Sequence, residues 1–291
     1  MEMLGSGKLV QLLVVALLAT LALAGPQCGR LEEKLMYTTD QKTEPSEMPW
    51  VGLLMEDMDD HYQRTGCSVV IVNELHVLTT ATCVKRFRTR SGDTKAVALL
   101  GIWDSNVSPG EELECNSLGF CTPGPVPRPV TKITVHPNFD KDTGDHNLAV
   151  LRLSEPVKWN NWIQPICMEG GSEPESLINR NLHFSGFNND DSRKGKGMAM
   201  TVSKQKCRKL IADTESILPP EYQLCGFPLK RTKYFPGAPL MDVDVQRDVP
   251  QSFYLVALLV RNVVSNDDTT TQIYQDVRQA RSWIMETTAT K

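Results

Sequence analysis

The sequence predicts an all-β protein that ends in one α-helix, and three observations support this prediction. Short apolar or alternating runs, such as CSVVIV and NLAVLRL, recur from Pro49 onward. Clusters of Gly, Pro, Asn and Asp separate these runs, as turns separate strands. Near the end of the chain, Ile273, Val277, Ala280 and Ile284 follow helical spacing. Many short strands with regular turns favour a barrel or a sandwich, and the pattern leaves that choice open.

The predicted elements follow one another in a simple order. Residues 25–46 are polar and lack periodicity, so we expect an N-terminal arm followed by one folded domain over residues 47–291. A first set of strands is predicted at WVGLLM, CSVVIV, HVLTT, KAVALLGIWD, VTKITV and NLAVLRL. After the polar connection SEPVKWNNWIQPIC, a second set is predicted at LHFSGF, GMAMTVSK, YQLCGF and FYLVALLV. NNDDSRKGKG (188–197) is predicted to be a solvated loop, and TTQIYQDVRQARSWIMETT is assigned to the C-terminal helix.

The first residues predict export from the cell. Lys8 precedes an apolar run from Leu9 to Ala24 that ends in the small-residue motif ALA. This pattern is typical of a secretory signal peptide over residues 1–24, cut after Ala24. A membrane anchor is the alternative, but the run of about 16 residues is shorter than the roughly 20 that a membrane-spanning helix needs. We therefore expect a secreted, extracellular protein.

Composition is that of an ordinary globular protein. The chain has 291 residues and a formal net charge of −4. Nothing in this balance favours a nucleic acid or an anionic membrane as partner. Asn106-Val107-Ser108 is a candidate glycosylation sequon, although Pro109 follows it directly.

The cysteines predict disulfides. An even number in an exported chain is typical of an oxidised framework, and the eight are Cys28, Cys67, Cys83, Cys115, Cys121, Cys167, Cys207 and Cys225. Composition alone allows about 105 pairings. Only Cys115 and Cys121, which enclose the short loop NSLGF, suggest a local bridge. Zinc is disfavoured, because no C-x-x-C or C-x-x-H pair occurs.

Six stretches carry a family resemblance, in this order: MPWVGLL, GCSVVIVNELHVLTTATC, HPNFDKDTGDHNLAVLRLSEPV, IQPICM, PGAPL and IYQDVRQARSWI. Together they resemble the trypsin-like (chymotrypsin-fold, S1) serine protease family, and more closely its non-catalytic homologues of the arthropod clip-domain-related type. The resemblance implies two six-stranded antiparallel β-barrels with a cleft between them, and a C-terminal helix.

The same resemblance implies that the catalytic triad is degenerate. A serine, a histidine and an aspartate carry the chemistry of this family. Thr82 stands in the place of the histidine, Asn147 in that of the aspartate and Pro236 in that of the serine. Threonine cannot act as a base near neutral pH, an amide cannot stabilise an imidazolium, and proline has neither a hydroxyl nor an N–H. We therefore expect no peptidase activity.

Two neighbouring functions are degenerate as well. Tyr234 stands where the family places the glycine of its oxyanion hole, and Pro236 removes the second donor of that hole. Phe235 replaces the aspartate that receives the new N-terminus after zymogen cleavage. That N-terminus is expected near Tyr37, where Met36 takes the place of the basic residue.

Disulfide pairing follows from the resemblance. It implies the bridges Cys28–Cys167, Cys67–Cys83, Cys115–Cys121 and Cys207–Cys225. The first tethers the arm to the domain.

The resemblance implies a secreted protein that binds. Such homologues serve as cofactors or regulators of extracellular proteolytic cascades, so the expected partners are secreted proteases, zymogens or their inhibitors. No cofactor is expected. A full clip domain is not expected, because Cys28 is the one cysteine before Pro49 and a clip needs six.

Two other functions remain open. One is a hydrolase with a relocated site, for which Asp145, His146 and Ser185 are the candidate residues. On a strand, His146 faces away from Asp145 and Asn147, which disfavours this reading. The other is an adhesive or matrix protein.

Overall fold

Two closed antiparallel β-barrels of six strands each form the body of the computed structural model. The structure describes residues 28–38, 41–87, 94–107, 114–115, 119, 121–171, 173–214, 219–230, 233–266 and 268–289. The predicted signal peptide lies outside these residues. Within the described ranges, no helix is long and apolar enough to cross a membrane. The all-β prediction and the pair of barrels implied by the resemblance are both confirmed.

The first barrel uses the first predicted set of strands. Its strands are β1 (Val51–Asp57), β2 (Tyr62–Ile71), β3 (His76–Thr79), β4 (Ala96–Leu100), β7 (Val126–Val135) and β8 (Ala149–Leu153). They pair in the circular order β1-β2-β3-β8-β7-β4. A separate hairpin of β5 (Glu114–Cys115) and β6 (Cys121–Thr122) lies between β4 and β7 in the chain. All of β4 is buried, which accounts for its continuous apolar run.

The second barrel contains two strands that the sequence pattern did not predict. Its strands are β9 (Asn181–Gly186), β10 (Gly195–Val202), β11 (Gln223–Pro228), β12 (Pro239–Gln246), β13 (Val249–Val264) and β14 (Thr270–Asp276). They pair in the order β10-β11-β14-β13-β12-β9. The strands β12 and β14 were missed. The strand β12 carries two aspartates, Asp242 and Asp244, that the fold buries. Because of these charges, the sequence pattern did not indicate a buried strand.

The described ranges contain three short α-helices: α1 (Glu33–Met36), α2 (Lys204–Ile211) and α3 (Arg281–Ala289). The sequence pattern did not predict α2. Ser203 caps it by accepting a hydrogen bond from the Lys206 amide, and Cys207 and Ile211 bury one side four residues apart.

The C-terminal helix is shorter than predicted. Thr270–Asp276 forms β14, Arg278–Ala280 forms one 3₁₀ turn, and only Arg281–Ala289 is α-helical. Every residue of β14 is buried between β11 and β13. Most of its buried residues are polar, so the strand shows neither alternation nor a continuous apolar run, and Ile273 matched the helical spacing of Ile284 without belonging to the helix.

The loop at residues 188–197 is not fully solvated, contrary to the prediction. Lys194 is only 2% exposed. The arm covers this loop: the Thr43 amide donates to the Lys194 carbonyl at 3.0 Å, and the Lys196 amide donates to the Gln41 carbonyl at 2.7 Å. This contact could not be predicted from local sequence, because the arm is remote from the loop along the chain.

Disulfides join the arm, the barrels and the hairpin. The structure contains the bridges Cys28–Cys167, Cys67–Cys83, Cys115–Cys121 and Cys207–Cys225, the same pairs that the resemblance implies. Beside the first bridge, Gly29 donates to the Pro165 carbonyl and accepts from the Phe253 amide, both at 2.8 Å. Gly29 has φ +60°, and a Cβ there would overlap the Phe253 carbonyl, so this anchor requires glycine.

Candidate functional site

The structure brings together the three positions that the resemblance assigns to a triad. Thr82 follows β3, Asn147 precedes β8, and Pro236 precedes β12. The Thr82 amide donates to Asn147 Oδ1 at 3.0 Å, and Asn147 Nδ2 lies 3.4 Å from Thr82 Oγ1. The Pro236 carbonyl lies 3.8 Å from the sulfur of Cys83. The three positions that the resemblance picks out thus lie close together, and their role stays a prediction.

Asn147 connects the two barrels. Its side chain is buried and accepts a hydrogen bond from the loop at Thr82. Its backbone amide donates to Gln275 Oε1 on β14 at 2.9 Å. Gln275 Nε2 in turn donates to the Tyr222 carbonyl at 2.9 Å. A neutral amide satisfies these contacts as donor and acceptor, whereas a buried carboxylate can only accept.

Pro236 lies in a tight turn. The Ala238 amide donates to the Phe235 carbonyl at 3.2 Å, and Gly237 has φ +87°. Proline followed by a residue of positive φ is the arrangement of a type II β-turn. The Pro236 carbonyl accepts from the Ser68 amide at 2.7 Å. A Cβ at Gly237 would overlap the Ser68 carbonyl, so this turn requires glycine.

Tyr234 fills the interior beside this turn. Its ring is buried and packs edge-on against Phe184, with ring centroids 4.8 Å apart. Its hydroxyl approaches Gly195 so closely that a Cβ there would overlap it. The Tyr234 carbonyl accepts from Asn262 Nδ2 at 2.9 Å, which fixes the orientation of this peptide.

A chain of polar side chains continues from Tyr234. Gln272 Nε2 donates to Asn262 Oδ1 at 3.2 Å, and the Tyr274 hydroxyl donates to Gln272 Oε1. Burial raises the pKa of Tyr274 far above its ordinary value, so its hydroxyl stays protonated as the donor. Sequence reasoning missed this network, although Asn262 and Gln272 are polar residues next to apolar runs.

The chemistry of the site is that of neutral groups. The side chains of Thr82, Asn147 and Pro236 do not titrate near neutral pH. The hydroxyl of Thr82 lies 3.0 Å from that of Thr80. The side chains of Thr80, Thr82 and Asn147 form hydrogen bonds with one another and with the backbone.

His146 and Ser185, the candidates for a relocated site, have separate partners. His146 lies in a turn with φ +49°, not on a strand, so the predicted alternation around it was wrong. Its Nδ1 lies 3.3 Å from an Asp145 oxygen. Ser185 is buried on β9 of the second barrel and donates to the Gly195 carbonyl at 2.8 Å. Among the described residues, His146 and Ser185 thus make their contacts with different partners.

Other predicted features have the following places. Asn106 is exposed, while Ser108 of its sequon lies outside the described residues. Tyr37, near the expected cleavage point, is 74% exposed, and Phe235 is buried. In the part of the chain that the structure describes, no three His, Cys, Asp or Glu side chains are grouped as metal ligands.

The sequence comparisons, like the fold, show a similarity to trypsin-like serine proteases. The Trypsin family model matches residues 123–226. Phenoloxidase-activating factor 3 of Holotrichia diomphalia is 28% identical over 189 residues, which cover 64% of this chain and 50% of that protein. Serine protease ea of Drosophila melanogaster is 24% identical over 187 residues, or 64% of this chain and 46% of that protein. The chain thus spans about half the length of these relatives.

A longer alignment and a solved structure extend the comparison. CLIP domain-containing serine protease B8 of Anopheles gambiae is 24% identical over 260 residues, covering 83% of this chain and 64% of that protein. The crystal structure of the Drosophila Grass clip serine protease of the Toll pathway superposes with a TM-score of 0.73 at 19% identity. That match covers 94% of this chain and 78% of the other, and it shows a shared fold.

Proposed function

We propose that this chain, which carries a trypsin-like domain related to insect clip-domain proteases, is a secreted serine protease homologue. It binds its partners and does not hydrolyse peptides. It acts as a binding cofactor or regulator in an extracellular proteolytic cascade. Its partners are secreted proteases, zymogens or their inhibitors.

The turn at Pro236 is the observation that carries the first half of this proposal. The family attacks its substrate with a serine hydroxyl and stabilises the oxyanion with the amide of the same residue. Proline supplies neither group. Loss of a working triad lowers the rate by about 10⁶, and loss of one oxyanion donor lowers it by a further 10² to 10³, on the order found in related hydrolases.

A fluorophosphonate probe tests the absence of peptidase chemistry, because it labels only an activated serine. The full chain should remain unlabelled, both before and after limited proteolysis, while trypsin in a parallel reaction is labelled to completion. Stoichiometric labelling of the chain, mapped to any serine, would establish an active hydrolase and overturn the proposal.

The role in a cascade is supported by the relatives and by the preserved scaffold. The names of the matched proteins include a phenoloxidase-activating factor and a protease of the Toll pathway. Both barrels and four disulfides persist around a site that lacks its nucleophile. Loops on a stable scaffold can carry recognition after catalysis is lost.

A reconstituted activation assay tests this role. Purified chain is added to a secreted clip-domain zymogen and its activating protease, and the release of a chromogenic product is followed. A binding cofactor or regulator should change the rate in a saturable manner, and heat-denatured chain should not. Identical progress curves across a panel of zymogens from the native extracellular fluid would contradict the role.

A further inference from the structure

The helix α2 is a concentrated source of positive charge. It carries Lys204, Lys206, Arg208 and Lys209 among its eight residues, and no acidic residue lies on it. All four cationic side chains are exposed. The whole chain has a net charge of −4, so this helix inverts the average charge of the surface locally.

These cations are not neutralised by the fold. Lys204 Nζ donates to the Glu221 carbonyl at 2.8 Å, which leaves its charge uncompensated. Within the described ranges, no ion pair is formed by Lys206, Arg208 or Lys209. Exposed cations interact weakly with charges that water screens, and more strongly with a partner that excludes the water.

A cavity opens beside this helix. It has a volume of about 250 Å³, and its walls include Leu177, Val202, Leu224 and the Cys207–Cys225 bridge. Ile178 also lines it and is 53% exposed, so its side chain is accessible to a partner. Such a space can receive one bulky apolar side chain of a partner, as buried anchors do in protein interfaces.

Charged groups also line the cavity. Lys204 and Arg208 lie on one side of it. Glu175 is an acid in the lining, and Arg278 is neutralised by Asp276, whose Oδ2 lies 2.8 Å from the guanidinium. The uncompensated charge of helix and cavity together is therefore positive.

We propose that the cationic face of α2 and the adjacent cavity form a docking surface for an acidic segment of a partner protein that presents a bulky apolar side chain. This inference rests on the proposed function, since it assigns the surface through which a cascade partner binds. The apolar walls favour a peptide segment over a sulfated polysaccharide, which has no side chain to bury.

Fluorescence anisotropy with three labelled ten-residue peptides tests the surface. The first peptide consists of aspartate and glutamate around a central leucine–phenylalanine pair, the second replaces that pair by serines, and the third replaces the acids by lysines. The first should bind the full chain at least tenfold more tightly than either of the others, and added salt should weaken it.

Matched variants locate the binding. The double substitution Arg208→Gln and Lys209→Gln should weaken the first peptide at least tenfold, and Ile178→Ser should weaken it severalfold. Lys132→Gln with Lys158→Gln removes two exposed lysines of the first barrel, and Val249→Ser removes a side chain that is 52% exposed at a hairpin. These controls should change the affinity less than twofold, with unchanged melting temperatures in all variants.

Three outcomes would overturn the docking surface. They are equal affinity for the first and second peptides, equal losses in test and control variants, or heparin binding that displaces the peptide and is unaffected by Ile178→Ser. A failure here leaves the fluorophosphonate and activation results unaffected, so it is distinguishable from a failure of the proposed function.

Discussion

Lys194 is a lysine that the fold buries, with its Nζ 3.0 Å from the Met48 carbonyl. Burial is the larger influence on its pKa and lowers it to about 7, while Glu47 acts in the opposite direction. A neutral amine can still donate to the carbonyl, whereas an ammonium loses its hydration. The folded state therefore favours the neutral form.

We expect Lys194→Met to stabilise the protein at about pH 6. The pKa falls from 10.5 to about 7 on folding, so between these values the unfolded chain binds more protons, and the free energy of unfolding rises with pH. In the methionine variant the free energy of unfolding should no longer rise with pH in this range. At low pH it should exceed the wild-type value by on the order of a few kcal/mol. Urea denaturation at about pH 6 and pH 9 measures both effects. Lys141→Met, in an exposed loop, is the control, and parallel pH slopes for wild type and Lys194→Met would refute the expectation.

At the scale of elements, the turn between β7 and β8 joins both barrels to α3 through aromatic contacts. The rings of His136 and His146 stack with centroids 4.7 Å apart. His136 also meets Trp283 of α3 edge-on at 4.6 Å, and His146 lies 4.7 Å from Tyr222. Burial, with a smaller contribution from His146, lowers the pKa of His136, and Asp145 opposes this shift.

Acidification should weaken this junction. A histidine whose pKa is lowered on folding contributes stability above its unfolded value of 6.5, and that contribution is lost as the pH falls below 6.5. His136 Nδ1 accepts from the Asn138 amide, and the oxygen of an asparagine side chain can take over this role. We therefore expect His136→Asn to lose less stability than wild type between about pH 7.5 and pH 5, in thermal denaturation. A wild-type slope in His136→Asn would show that this stack is not the cause.

At the scale of the whole molecule, both barrels are closed, and the ring of Tyr234 is buried beside the turn at Pro236. Tyr234 occupies space beside Gly195, and Asn262 fixes the Tyr234 carbonyl. The Phe235–Ala238 turn is held by its own hydrogen bond and by Ser68. Catalysis in this fold depends on a preorganised backbone as much as on three side chains, so the loss of activity we propose is spread over the local structure.

Restoring the triad should therefore not restore hydrolysis. The variant Thr82→His, Asn147→Asp, Pro236→Ser should fold, because the barrels do not depend on these side chains alone, yet remain unlabelled by the fluorophosphonate probe. Tyr234 stays buried with its carbonyl bonded to Asn262 Nδ2 at 2.9 Å, so we expect the three substitutions to leave the orientation of its peptide unchanged. Circular dichroism confirms the fold of the variant, and its stoichiometric labelling would mean that the three substitutions alone account for inactivity.

The sequence was sufficient for the fold class. Most strands of the first barrel were predictable because they are short apolar or alternating runs that turn residues separate. The order of six local motifs led to Thr82, Asn147 and Pro236, and the structure places Thr82 and Asn147 within hydrogen-bonding distance. β14 was misread as helix because its buried residues are mainly polar, so the strand shows neither an alternating pattern nor a continuous apolar run.

Other properties depend on contacts that local sequence does not encode. The burial of Lys194 comes from arm residues near Thr43, and the space filled by Tyr234 is defined by Phe184 and Gly195 on separate strands. Such neighbours are joined only when both barrels close, because burial is a property of the assembled surface. The sequence by itself determined which chemical groups are present, and the tertiary structure alone decided which of them are desolvated, paired or left exposed.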